Sequence, residues 1–253
     1  MKFSANLGFL WAGLALPDAI HAARAAGFAA VECHWPYDVP AKEVRQALRD
    51  TGLGMISLNT RRGDVAAGDM GLSALPGRGG AARAAIDEAL DYAHEVGARA
   101  VHVMAGNASG KDAHASFLQA LRYGCERAEP LGITLLIEPL NTRDAPGYFI
   151  STTGDAMAVI DDVAAPNLKL MFDCYHVALM EGDVEGRLQT LLPHIGHIQF
   201  AGVPDRGPPD QGELDYRRLF NLLTQLGYDR PIGAEYRPGG PTEASLGWMT
   251  SLP

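Results

Sequence analysis

Short apolar, β-rich runs alternate along the chain with longer alanine- and leucine-rich stretches whose apolar positions recur every three or four residues. Eight of the short runs read as strands: KFSANLGF, AAVECHW, GMISLN, ARAVHVMAG, ITLLIEPLN, LKLMFDCYH, IGHIQFAG and PIGAEYRP. Between most of them the periodicity predicts amphipathic helices over Pro17–Ala26, Ala41–Thr51, Gly80–Val96, His114–Leu131, Gly154–Val163 and Tyr216–Leu226. Glycines follow most of these helices (Gly27, Gly52, Gly97, Gly132, Gly227), where a left-handed residue closes the last turn.

Strands that alternate with helices pair in parallel, because each right-handed crossover returns the chain to the same sheet. Eight such units in 253 residues match a (β/α)8 TIM barrel, with residues 1–253 as one domain. An open doubly wound sheet is the competitor. It favours a glycine-rich phosphate loop after an early strand, and none is present; GRGG at Gly77–Gly80 follows a loop instead. The longest irregular stretch, Thr60–Gly80, suits a loop over the active-site end.

Composition narrows the partners. The apolar share of 47% is ordinary for a globular protein, and no apolar stretch reaches the length needed to span a bilayer. The N-terminus has one lysine and a broken apolar run, which reads as a first strand and loop rather than a signal peptide. A net charge of −9 without a basic cluster argues against a nucleic-acid groove. Cys33, Cys125 and Cys174 are too scattered for a disulfide framework, so a reduced, cytoplasmic, soluble protein is expected.

The candidate chemistry lies where apolar runs end. Glu138 closes ITLLIE, Asp173 closes LKLMFD, Gln199 sits near the end of IGHIQF and Glu235 follows PIGA. Each lies at a similar depth of its strand, with gaps of 35, 26 and 36 residues (138 to 173, 173 to 199, 199 to 235). Alone, each reads equally well as a helix cap or an arginine's partner. Together, on four consecutive strands of a barrel, they converge on one mouth. Three clustered carboxylates repel one another unless a cation joins them, and an all-oxygen donor set suits Mg²⁺ or Mn²⁺ better than zinc.

The segments VECHWPYD, NTRRGDVAAGDMGLSALPGR, IEPLNTRDAPGYFISTT, FDCYHVALMEGD, HIQFAGVPDRGPPDQGELDY and GAEYRP resemble the hydroxypyruvate isomerase family, within the xylose isomerase-like barrel superfamily. The resemblance implies that Glu138, Asp173, Gln199 and Glu235 bind the metal and that Glu138 and Glu235 are also the acid/base pair. Ketose 3-epimerases usually carry histidine at the third ligand position, so Gln199 favours the isomerase branch. The implied reaction converts hydroxypyruvate to 2-hydroxy-3-oxopropanoate (tartronate semialdehyde). A proton passes between adjacent carbons while the metal stabilises the enediolate. His176 is expected to contact a substrate hydroxyl and Arg206 to grip a substrate carboxylate. Glu32 and His102 are candidate pocket residues, with Arg61, Arg143 and Asp144 weaker. Phe9, Trp11, Trp35 and Tyr37 are either pocket wall or packing.

A 2-oxo-tetronate isomerase is the main alternative, followed by a ketose 3-epimerase. An endonuclease of abasic DNA requires more histidines and a basic face. A non-enzymatic sugar-binding barrel is expected to lack Glu138 or Glu235, and both are present. The expected partner is a small hydroxy-oxo acid, with neither nucleic acid nor membrane, and the expected assembly is a homo-oligomer, dimer or tetramer.

Overall fold

A computed structural model of the chain describes residues 1–252; Pro253, the last residue of the expected single domain, lies outside them. In chain order the described strands are β1 (Phe3–Asn6), β2 (Ala30–Glu32), β3 (Gly54–Met55), β4 (Ser57–Asn59), β5 (Ala100–His102), β6 (Thr134–Ile137), β7 (Leu168–Asp173), β8 (Ile195–Phe200) and β9 (Ile232–Ala234). The helices are α1 (Leu16–Ala25), α2 (Ala41–Thr51), α3 (Gly79–Val96), α4 (Gly110–Ala128), α5 (Thr153–Val163), α6 (Cys174–Met180), α7 (Val184–Leu191), α8 (Tyr216–Gln225) and α9 (Trp248–Ser251). They fall into two compact units. The first comprises Met1–Ile56, Asp173–Pro193 and the residues from Ile198 onward; the second comprises Ser57–Phe172 and His194–His197.

In the first unit β1 lies between β2 and β9, with β3 on β2 and the end of β8 on β9, all parallel. The register sets Asn6 level with Glu32 and Gln199 level with Gly233. Its core is aromatic: Phe3, Phe200, Phe220 and Trp248 meet at tilted or edge-on angles, with Phe3 and Trp248 centroids 4.8 Å apart. Helix α8 buries Tyr216, Leu219, Phe220 and Leu223, and α2 buries Val44, Ala47, Leu48 and Thr51. Both stripes follow the helical period that the sequence predicts.

In the second unit β4, β5, β6 and β7 pair in parallel in that order. Its interior packs Ala100, Leu136 and Met171 together, with a row of buried alanines along α3 and the buried rings of Phe117, Tyr148 and Phe172. Helix α5 opens on a capping box, in which the Thr152 hydroxyl accepts from Asp155 N and the Asp155 carboxylate accepts from Thr152 N. Glycines end helices as expected, Gly52 (φ 69°) after α2 and Gly97 (φ 76°) after α3.

Three local readings change. GMISLN is two strands: β3 pairs with β2, and β4 pairs with β5. LKLMFDCYH is not strand throughout, because Asp173 accepts a hydrogen bond from Tyr175 N (2.9 Å) and starts α6. His176 therefore sits on a helix. The stretch from Thr60 contains a short 3-10 turn, Val65–Ala67, capped by Asp64. No described helix is long and apolar enough to cross a membrane.

Candidate active site

Parallel register explains the first contacts of the first unit. Residues level on neighbouring strands project to the same face, so Asn6 and Glu32 meet: Asn6 Nδ2 donates to Glu32 Oε1 at 3.1 Å. Gln199 Nε2 donates to the same oxygen at 2.9 Å. A carboxylate only accepts, so Glu32 fixes the Gln199 amide with its NH2 toward Glu32 and its Oε1 turned away from it. Gly233 makes room, since a Cβ there would lie 2.5 Å from Glu32 Oε1.

Glu235, one residue past β9, is surrounded by donors. Its Oε1 accepts from Asn6 Nδ2 (2.8 Å) and pairs with His34 Nε2 (2.9 Å), while its Oε2 pairs with Arg206 Nη2. A side chain on Gly8 would run into the His34 ring, so glycine is what allows His34 to lie there. Arg206 Nη2 is also 3.6 Å from Asp173 Oδ2. Its guanidinium lies against the rings of Phe9 (4.9 Å) and Tyr175 (5.2 Å). His176 Nε2 is 3.6 Å from Asp173 Oδ2. Among the described residues, the buried acceptors Asp173 Oδ2 and Gln199 Oε1 have no hydrogen-bond partner.

These surroundings drive two buried carboxylates in opposite directions. Burial, opposed by Arg206 but reinforced by the charge of Glu235, pushes Asp173 up to about 7. Burial acts on Glu235 in the same sense. Arg206, the His34 hydrogen bond and the nearby His34 and His176 together outweigh it and bring Glu235 down to about 2.

The second unit contributes Glu138 and His102. Glu138 follows β6 directly and is 6% exposed; His102 ends β5, and its Nδ1 is 3.6 Å from Glu138 Oε2. Beyond them Asn141 Oδ1 accepts from Asp144 N (2.8 Å), and the Tyr148 hydroxyl accepts from Ala105 N (2.9 Å). Arg61 and Arg143 are half exposed, paired with Glu88 and Asp144.

Of the residues singled out in the sequence, Glu32, Asp173, His176, Gln199, Arg206 and Glu235 thus lie in one interacting group of the first unit. Glu138 and His102 form a pair in the second. Asn6 and His34 are the residues that the sequence reading missed. Asn6 ends β1 and His34 follows β2 by two positions, so the rule that singled out Glu138 and Glu235 could have found both. Phe9 and Trp35 lie against the His34 ring, at centroid distances of 5.3 and 5.0 Å. The three buried cysteines have thiols pushed up by burial, Cys125 to about 12, which makes them poor nucleophiles.

A family model described as a xylose isomerase-like TIM barrel matches residues 20–252. The chain is 46% identical over 252 residues to a 2-oxo-tetronate isomerase of Cupriavidus necator, covering 98% of this chain and 97% of that protein. It is 35% identical over 253 residues to the hydroxypyruvate isomerase of Escherichia coli, with 98% of each covered. A crystal structure described as AP endonuclease, family 2, from Brucella melitensis has a TM-score of 0.95 and 37% identity, covering 99% of this chain and 98% of that one. The fold is the parallel α/β barrel read from the strand–helix alternation, and the relatives identify the chain as an isomerase. The chain belongs to the xylose isomerase-like TIM barrel family.

Proposed function

We propose that this chain isomerises a small 2-oxo-3-hydroxy acid with one divalent cation, Mg²⁺ or Mn²⁺, held by Glu138, Asp173, Gln199 and Glu235. The observation that carries this reading is the pair of buried oxygen acceptors without hydrogen bonds, Asp173 Oδ2 and Gln199 Oε1, in the same group as Glu235. Such atoms are costly in a folded interior unless something positive meets them. The donors are oxygens, as a hard cation prefers. Glu138, Asp173 and His176 are each buried and each offers a ligand atom, so His176 is a further candidate donor.

A bound cation supplies Lewis acidity, which lowers the cost of negative charge on the substrate oxygens. The protein does the rest. One of Glu138 and Glu235 takes a proton from C3, a proton is delivered to C2, and the hydroxyl proton passes from O3 to O2. The carbonyl thereby moves from C2 to C3 without change in composition. Arg206 grips the substrate carboxylate and His176 contacts a hydroxyl. Glu32 holds the Gln199 amide in one orientation, while Asn6 and His34 fix Glu235. His102 orients Glu138.

Hydroxypyruvate is the reference substrate from the sequence motifs. The greater identity to the 2-oxo-tetronate isomerase puts the four-carbon acid first among substrates to test. We further take residues 1–253 to act as one cytoplasmic catalytic domain that assembles as a dimer or tetramer. The test is a panel of 2-oxo-tetronate, hydroxypyruvate and ketoses, assayed after chelation and again after Mn²⁺ or Mg²⁺ is added. Isomerisation of one acid, lost on chelation and restored by the cation, is expected; full activity in the chelated protein contradicts the reading. A duplex containing an abasic site belongs in the panel because of the Brucella neighbour's description. No cleavage is expected of a chain with net charge −9.

A further inference from the structure

We propose that Arg206 is a built-in competitor of the cation, and that the substrate's carboxylate relieves the competition by drawing the guanidinium away. The inference rests on the reading that Asp173 and Glu235 help to hold a divalent ion.

Four observations place Arg206 on the carboxylates rather than in solvent. Its Nη2 pairs with Glu235 Oε2 and lies 3.6 Å from Asp173 Oδ2, so one nitrogen bonds the first acid and faces the second from beyond hydrogen-bond reach. Its guanidinium lies against Phe9 and Tyr175, whose rings provide stacking surfaces for a planar cation. Its backbone is left-handed (φ 57°), a conformation held in part by Arg237 N donating to its carbonyl at 2.7 Å. The side chain is only 11% exposed.

Glu235 Oε1 is already engaged by Asn6 and His34, so Oε2 is the oxygen through which Glu235 can reach an ion. That is the oxygen Arg206 holds. A divalent ion drawn to Asp173 Oδ2 and Glu235 Oε2 therefore meets a fixed positive charge within a few ångströms, where poor screening makes the repulsion count. An anionic substrate offers the guanidinium another carboxylate of matching geometry. When Arg206 turns to it, Glu235 Oε2 is released and the repulsion falls. Cation and substrate then bind cooperatively, and reciprocity requires each to tighten the other by the same factor.

The test titrates Mn²⁺ into chelator-stripped protein and reads free Mn²⁺ by electron paramagnetic resonance, with and without saturating D-glycerate. D-Glycerate carries the carboxylate and adjacent hydroxyls but has no carbonyl to isomerise. In the wild type, D-glycerate is expected to tighten Mn²⁺ binding by roughly five- to a hundredfold. Arg206→Gln without D-glycerate is expected to bind Mn²⁺ more tightly than the wild type by a similar factor and to gain little from D-glycerate. Equal or weaker Mn²⁺ binding by Arg206→Gln overturns the competition. A wild type whose Mn²⁺ affinity ignores D-glycerate overturns it without any variant, so misfolding of Arg206→Gln does not protect the idea. Absence of Mn²⁺ binding in every sample instead removes the underlying cation reading, and the inference with it. Melting gives an independent readout: the deficit of Arg206→Gln in chelator is expected to close with Mn²⁺, and an unchanged deficit counts against competition.

Discussion

The two units treat buried carboxylates differently. In the first, Glu32 receives Asn6 and Gln199, and Glu235 receives Asn6, His34 and Arg206, so donors from several strands and loops share the charge. In the second, Glu138 Oε2 lies 3.6 Å from His102 Nδ1, and the Glu138 charge helps to raise the nearby Tyr148 hydroxyl, itself raised mainly by burial. The lesson is that donor placement, more than depth, decides how a buried acid ionises. Asp173 and Glu235 make it within one unit, because both are buried and both lie near Arg206, yet one is raised and the other lowered. Glu235 has three donors, whereas Asp173 spends one oxygen on capping α6.

The largest expected effect compares the acid of each unit. Glu235→Gln and Glu138→Gln are each expected to lower kcat by about 10²–10⁴-fold with the circular dichroism spectrum preserved. A near-normal rate in Glu138→Gln would reduce the second unit to scaffolding. Next come the donors. His34→Ala or Asn6→Ala leaves Glu235 short of a charge-assisted partner and is expected to cost about 1.5–3 kcal/mol in denaturant unfolding. Asn141→Ala in the second unit, whose bonds to Asp144 are part-buried, is expected to cost only about 0.5–1.5 kcal/mol. Equal losses would erase the contrast between the units.

The pH dependence sharpens the comparison of Asp173 with Glu235. Asp173 rises from 3.8 to about 7, so the folded chelated protein holds a proton that the unfolded chain releases, and stability falls as pH rises across that window. Glu235 drops from 4.5 to about 2; its contribution is present above 4.5 and lost as pH falls toward 2. Asp173→Asn, which keeps a capping side chain, is expected to stabilise the chelated protein at pH 8 by roughly 1–3 kcal/mol, with the gain vanishing near pH 4. A gain independent of pH contradicts the assignment. The smallest effect belongs to the surface, where Arg61→Ala, which removes a half-exposed pair with Glu88, is expected to stay within about 0.5 kcal/mol.

Much of this was legible in the sequence for a definite reason. Apolar runs that end on a polar residue mark the ends of parallel strands, and Glu138, Asp173 and Glu235 sit at or just past such ends, with Gln199 one residue before one. Glycines such as Gly52 and Gly97 marked the helix ends. The start of α6 was hidden because Cys174-Tyr175-His176 continues the apolar texture of β7; only the capping habit of Asp173 hinted at the turn. The donors to Glu235 were hidden more deeply. Asn6 and His34 stand 229 and 201 positions away from it along the chain, and no local pattern reports which strand ends become neighbours. Arg206 was legible as a cation near the site, but neither its pairing with the acids nor its left-handed backbone, at a non-glycine residue, has a local signature.

The central claim is that Glu138, Asp173, Gln199 and Glu235 hold one cation. Anomalous scattering from crystals soaked in Mn²⁺ tests it most directly. A single strong peak is expected about 2.1 Å from an oxygen of each of the four side chains. A peak elsewhere, or density that meets Asp173 and Glu235 but leaves Glu138 and Gln199 out of reach, would contradict it.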